Sequence, residues 1–109
     1  MVNFLLKGYG VASLGIIHEY VALDDYECER SRLVIETALG YVLAEWYGGF
    51  LSSGMYVYGE FHSYGMKKVY DNLSDAIDCA NNLLDINSKA TIWIDDYWAS
   101  ESEAIKWCY

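Results

Sequence analysis

Between Met55 and His62 apolar and polar positions alternate strictly. Met55, Val57, Gly59 and Phe61 fall on one side, and Tyr56, Tyr58, Glu60 and His62 on the other. That period of two is the pattern of a strand with one face on a core. Met66 to Tyr70 reads as its partner, reached through the turn residues Ser63, Tyr64 and Gly65, so a hairpin is predicted there. Ala90 to Tyr97 is a further predicted strand, with Ile92 and Ile94 on one side and Thr91, Trp93, Asp95 and Tyr97 on the other. Val2 to Lys7 and Gly15 to Ala22 complete the predicted strands. The second rests on Ile16, Ile17, Tyr20 and Val21, although its unbroken run also fits a helix.

From Tyr26 to Tyr47 the period lengthens. Cys28, Arg32, Ile35, Leu39, Val42 and Trp46 recur at intervals of three and four, with Leu43 widening the stripe. Asp24 followed by Glu27 resembles a capping box, and Gly48-Gly49 supplies a stop, so a long helix is predicted over 26–47. Asp71 or Asn72 caps a second predicted helix with Leu73, Ala76, Ile77, Ala80, Leu83 and Leu84 on its apolar face, ending at Asn87-Ser88. Ser100 and Glu103 have capping-box spacing, predicting a short C-terminal helix, with a strand over 104–109 as the competing reading. Residues 1–109 thus read as a single α+β domain. Its antiparallel or mixed sheet has about four or five strands, and two main helices pack on one face.

Composition adds charge and rings to this picture. The 109 residues include 16 acidic and 7 basic side chains, for a net charge of −9, and no proline. A chain this acidic repels phosphate backbones, so direct nucleic-acid binding by counterion release is not expected, nor is an anionic membrane surface. Its apolar runs fall far short of the roughly 18 residues of a membrane span. The apolar start lacks the basic segment of a secretory signal, and Lys7 interrupts it. Cys28, Cys79 and Cys108 are odd in number and widely spaced, which fits a reducing, cytoplasmic location with each thiol buried as a small apolar group.

No catalytic pattern emerges. His18 and His62 belong to no metal or nucleophile motif, and Gly8-x-Gly10 and the Gly49 to Gly54 stretch lack the partners of a phosphate loop. No catalytic residue, metal or cofactor is therefore assigned.

Two surface features carry the functional expectation. Asp71, Asp75, Asp78 and Asp85 recur at intervals of four, three and seven, a stripe of about 21 Å opposite the apolar face of the second predicted helix. Interior Asp is a poor helix former, so folding alone explains the row badly, although a solvated helix face is its bland reading. Eighteen rings are more than a chain this size readily buries: 11 Tyr, 4 Trp and 3 Phe. Tyr56, Tyr58, Trp93 and Tyr97 fall on the more polar strand faces, accompanied by Glu60, His62 and Asp95; on neighbouring strands they would make an aromatic patch rimmed by carboxylates.

The expected function is a non-catalytic inhibitor or adaptor docking on the basic surface of a nucleic-acid-handling protein, in the style of a viral anti-CRISPR or anti-restriction protein. The alternative is a self-associating structural domain, a homodimer through the aromatic face. A small-ligand binder or enzyme with a pocket lined by Tyr and His62 ranks third.

Overall fold

β-branched and aromatic residues are plentiful in the segments that form strands. The computed structural model describes residues 13–23, 30–48, 51–80 and 88–108, and of 22–23, 80 and 97–99 the backbone alone. The strands are β1 (Ser13–Leu23), β2 (Arg30–Thr37), β3 (Gly40–Gly48), β4 (Tyr56–Gly59), β5 (Gly65–Tyr70) and β6 (Ala90–Ala99). Two short helices accompany them, α1 (Leu73–Ala80) and α2 (Glu101–Cys108). The six strands close into a barrel in the order β1-β2-β3-β6-β5-β4, every neighbouring pair antiparallel. β4 returns to lie beside β1, so the first four strands form a Greek key.

The predicted α+β sandwich is thus corrected to a closed β-barrel, and the largest revision is the segment 26–47. Its described part, from residue 30 onward, forms β2 and β3, a hairpin turning at Ala38 and Leu39. Its apolar residues fill both faces. Leu33, Ile35, Val42, Ala44 and Trp46 point into the barrel, while Val34 and Leu43 point outward beneath α2. A strand buried on both sides loses its alternation and reads as a continuous apolar run, which the three-and-four spacing of a helix also fits. Leu39, assigned to the helix face, is half exposed at the turn. The turn has its own chemistry: Thr37 Oγ1 donates to the Gly40 carbonyl at 2.9 Å and accepts from the Leu39 amide at 3.2 Å, and Gly40 has φ of 130°.

The remaining predicted elements fare differently. β1, β5 and β6 lie where strands were expected, and β4 with β5 forms the expected hairpin, although β4 spans only Tyr56–Gly59. Asn72 caps α1 by accepting from the amides of Ser74 and Asp75 at 2.8 and 3.2 Å, and Ser100 caps α2 by accepting from that of Glu103 at 3.3 Å. The C-terminal segment is therefore helical rather than a strand. The predicted strand over 2–7 and the part of the second helix beyond Ala80 lie outside the described residues.

The helices sit on different walls. α1 lays Leu73, Ala76 and Ile77 over Tyr58 and Tyr70 on β4 and β5, and α2 lays Ala104 and Cys108 over Val34 and Leu43. The interior is filled: Ile17, Leu33, Trp46, Phe61, Ile92 and Ile94 are all buried there. Fully burying each aliphatic side chain of this set contributes about 1.5–3 kcal/mol. Among the described residues, chemistry is therefore carried on the outer walls and loops. No helix among them is long and apolar enough to cross a membrane.

Candidate functional site

The carboxylates of the predicted stripe are placed by the cap at Asn72. Asp71 lies just before the helix, exposed, with Lys89 Nζ 3.8 Å from its Oδ2. Asp75 stands in the first turn, where a negative charge is favoured by the free amides of the helix start. Asp78 follows one turn later and is half-buried. Since Leu73, Ala76 and Ile77 hold the barrel wall, Asp75 and Asp78 share the opposite side of α1. Asp85 lies outside the described residues.

The aromatic residues do not come together as one patch. Tyr56 is 59% exposed on β4, opposite Ile16 of β1, whereas Tyr58 is partly covered by α1. Trp93 lies on β6, and β5 separates it from β4. Along β5 the two regions are also offset, because Tyr58 pairs with Tyr70 and Trp93 with Met66, positions about 13 Å apart along the strand. Tyr97 pairs in the backbone with Val42, while Trp93 pairs with Glu45; Asp95 between them is an extra, bulged residue, so the period of two is broken there.

The polar companions have partners of their own. Glu60 accepts from Ser63 Oγ at 2.6 Å and lies 3.5 Å from Lys67 Nζ, so it braces the loop between β4 and β5. His62 is half-buried in that loop, and its burial lowers the imidazole pKa, partly opposed by Glu60. Burial raises the Asp95 carboxyl above its usual range, reinforced by Glu45 and opposed by a hydrogen bond from Trp93 and by Arg32.

A different wall brings exposed rings and charge together. Met66, Trp93, Glu45 and Arg32 stand side by side across β5, β6, β3 and β2. Met66 is 55% and Trp93 42% exposed. Arg30 Nη1 donates to Glu45 Oε1 at 2.9 Å, Tyr47 donates to the same oxygen at 3.2 Å, and the Arg32 guanidinium lies 4.9 Å from the centre of the Trp107 ring. Sequence reasoning missed Met66 because β5 showed no clear polar face, and missed Arg32 and Trp107 because the segment containing Arg32 was read as helix.

A second cluster ties α2 to the barrel. His18, the bulged residue of β1, places Nδ1 3.9 Å from Glu36 and Nε2 3.7 Å from Glu101, with its ring edge-on to Tyr41. Tyr41 donates to Glu101 Oε2 at 3.0 Å, and that bond is the chief cause of its raised pKa. No group of three or more His, Cys, Asp or Glu poised to hold a metal occurs among the described residues. A scan of protein-family models and searches of the curated proteins and the solved structures find no match to this chain.

Proposed function

We propose that this chain is an acidic, non-catalytic binding protein, an inhibitor or adaptor that docks on a basic surface of a nucleic-acid-handling protein. The observation that carries the reading is the outward side of α1, where Asp75 and Asp78 stand a turn apart, continued by Asp71, on a molecule with a net charge of −9. Residues three or four apart on one helix face have their Cβ atoms about 5–6 Å apart. A row of that kind can occupy Lys and Arg positions that otherwise hold phosphates. Lys89 beside Asp71 offsets one end of the row, so Asp75 and Asp78 supply most of the attraction. The acidic field steers encounter with a cationic partner, a contribution that salt weakens. The filled barrel interior supports the same reading, because it leaves the walls and helices to do the work.

The test is affinity capture with the whole chain, followed by titration of each purified captured protein against wild type and Asp75→Asn/Asp78→Asn. The expected partner is displaced by nucleic acid, weakens as salt rises, and binds the double variant about tenfold less tightly. Affinity indifferent to salt or to the two substitutions overturns the proposal.

A further inference from the structure

We propose that the outer wall of β1 and β4, between the two helices, seats one apolar side chain of the basic partner, carried on a segment with Lys or Arg on either side of it. The inference rests on the reading above and places that partner's apolar contact beside α1. Ile17 and Val57 belong to the interior, and a Cβ on Gly15 would meet Ile35 and Phe61 there. The alternate residues Leu14, Ile16, Tyr56 and Tyr58 therefore face outward. Leu14 is paired in the backbone with Tyr58, and Ile16 with Tyr56, so the four form one cluster. Between Cα positions such a quartet measures about 7 Å along the strands and 5 Å across them, room for one leucine- or phenylalanine-sized side chain. Leu14 is 43% and Tyr56 59% exposed. A closed barrel has no free strand edge, so the segment cannot add as a further strand and must bind through side chains.

Strand order decides what flanks this floor. α1 covers β4 and β5 at Tyr58 and Tyr70, α2 covers β2 and β3 at Val34 and Leu43, and the wall between them is β1 with β4. Both banks carry carboxylates. On one side are Asp75 and Asp78 of α1. On the other, Glu36 is paired in the backbone with Ile16, and His18 lies between Glu36 and Glu101. Glu101 also accepts from Tyr41, so this second bank is partly satisfied within the chain and α1 supplies the larger share of the attraction. The cations bordering the floor are engaged as well: Lys89 lies 3.8 Å from Asp71, and Lys68, two residues before Tyr70 on β5, interacts within the chain. An apolar floor between carboxylates favours an apolar side chain with positive neighbours and rejects one with negative neighbours. The Tyr56 ring suits both parts of such a segment, since it is large and rigid and its face attracts a cation.

Fluorescence anisotropy with the whole chain and three labelled synthetic peptides tests this. The first carries Phe between Lys and Arg residues, the second has Ser in place of Phe, and the third keeps Phe but has Glu in place of every Lys and Arg. The first is expected to bind about tenfold or more tightly than the second, and the third not at all. Tyr56→Ser and, independently, Leu14→Asn remove the preference for Phe; both side chains are exposed, so an unchanged melting temperature verifies the fold. Asp75→Asn/Asp78→Asn weakens both basic peptides alike and leaves the preference for Phe in place. Equal affinity for the Phe and Ser peptides, equal affinity for the basic and acidic Phe peptides, or a preference indifferent to Tyr56→Ser and Leu14→Asn overturns the proposal. So does self-association of the chain that Tyr56→Ser abolishes, since a second copy would then hold the floor. Basic peptides that bind equally with and without Phe, yet respond to the two aspartates, leave the partner-binding reading standing and remove this seat alone.

Discussion

Replacing Gly40 by alanine distinguishes the hairpin from a helix by the sign of its effect. In the barrel Gly40 opens β3 with φ of 130°, a backbone state that residues with a Cβ rarely adopt, and its carbonyl is held by Thr37 Oγ1 at 2.9 Å. Forcing alanine into such a region costs about 1–3 kcal/mol. Part is offset because alanine narrows the unfolded ensemble, by about 0.4–1 kcal/mol. The net expectation is a loss of about 1–2 kcal/mol. For a chain this size that lowers the melting temperature by roughly 4–15 °C. In an uninterrupted helix the same substitution would stabilise by about 0.5–1 kcal/mol. Urea titration of Gly40→Ala against wild type, monitored by far-UV circular dichroism, reads the difference directly. An unchanged or raised midpoint would refute the hairpin argument.

Two further perturbations probe packing and charge. A Cβ on Gly48 would sit 2.5 Å from Ala90 Cβ, so Gly48→Ala should cost about 1–3 kcal/mol, and the size swap Gly48→Ala/Ala90→Gly should be less unstable than the two single losses combined; strict additivity in a double-mutant cycle contradicts that close approach. Because the Asp95 carboxyl pKa is raised in the folded chain, the folded state holds the proton more tightly, and this contribution to stability fades as pH climbs from the ordinary carboxylate value through the raised one. Asp95→Asn should therefore raise the melting temperature at pH 7 and have less effect at pH 3.5; an equal effect at both values argues against burial as the cause.

The sequence made the exposed edges of elements legible and hid those buried twice. The Met55 to His62 alternation marked Val57, Gly59 and Phe61 as inward, and Met55 and those three do face or pack against the barrel core. The caps at Asn72 and Ser100 were readable because a cap is a local bond between near neighbours. β2 and β3 were unreadable by period, since Val34 and Leu43 answer to α2 while Leu33 and Val42 answer to the interior. Their composition was the better guide: Val34, Ile35, Thr37, Tyr41, Val42, Trp46 and Tyr47 favour strands, and Gly40 interrupts them. The aromatic patch failed for two reasons that lie beyond local pattern. Strand order placed β5 between β4 and β6, and barrel curvature inserted a bulge at Asp95.

Closing the barrel also shapes how the chain reaches its fold. The turns joining β2 to β3 and β4 to β5 can form early, whereas the pairings of β1 with β4 and of β3 with β6 must wait until distant segments meet. The pairing of β1 with β4 continues past the strand end, with Ile17 and Met55 bonded at 2.9 Å and Gly54 and Ile17 at 2.7 Å. Zipping two distant segments spends chain entropy before contacts repay it, so folding is expected in milliseconds to seconds rather than microseconds. Once zipped, parting β1 from β4 or β3 from β6 strands hydrogen-bonding groups on both partners, which makes piecemeal opening costly and ties the life of the folded state to its long-range pairings together.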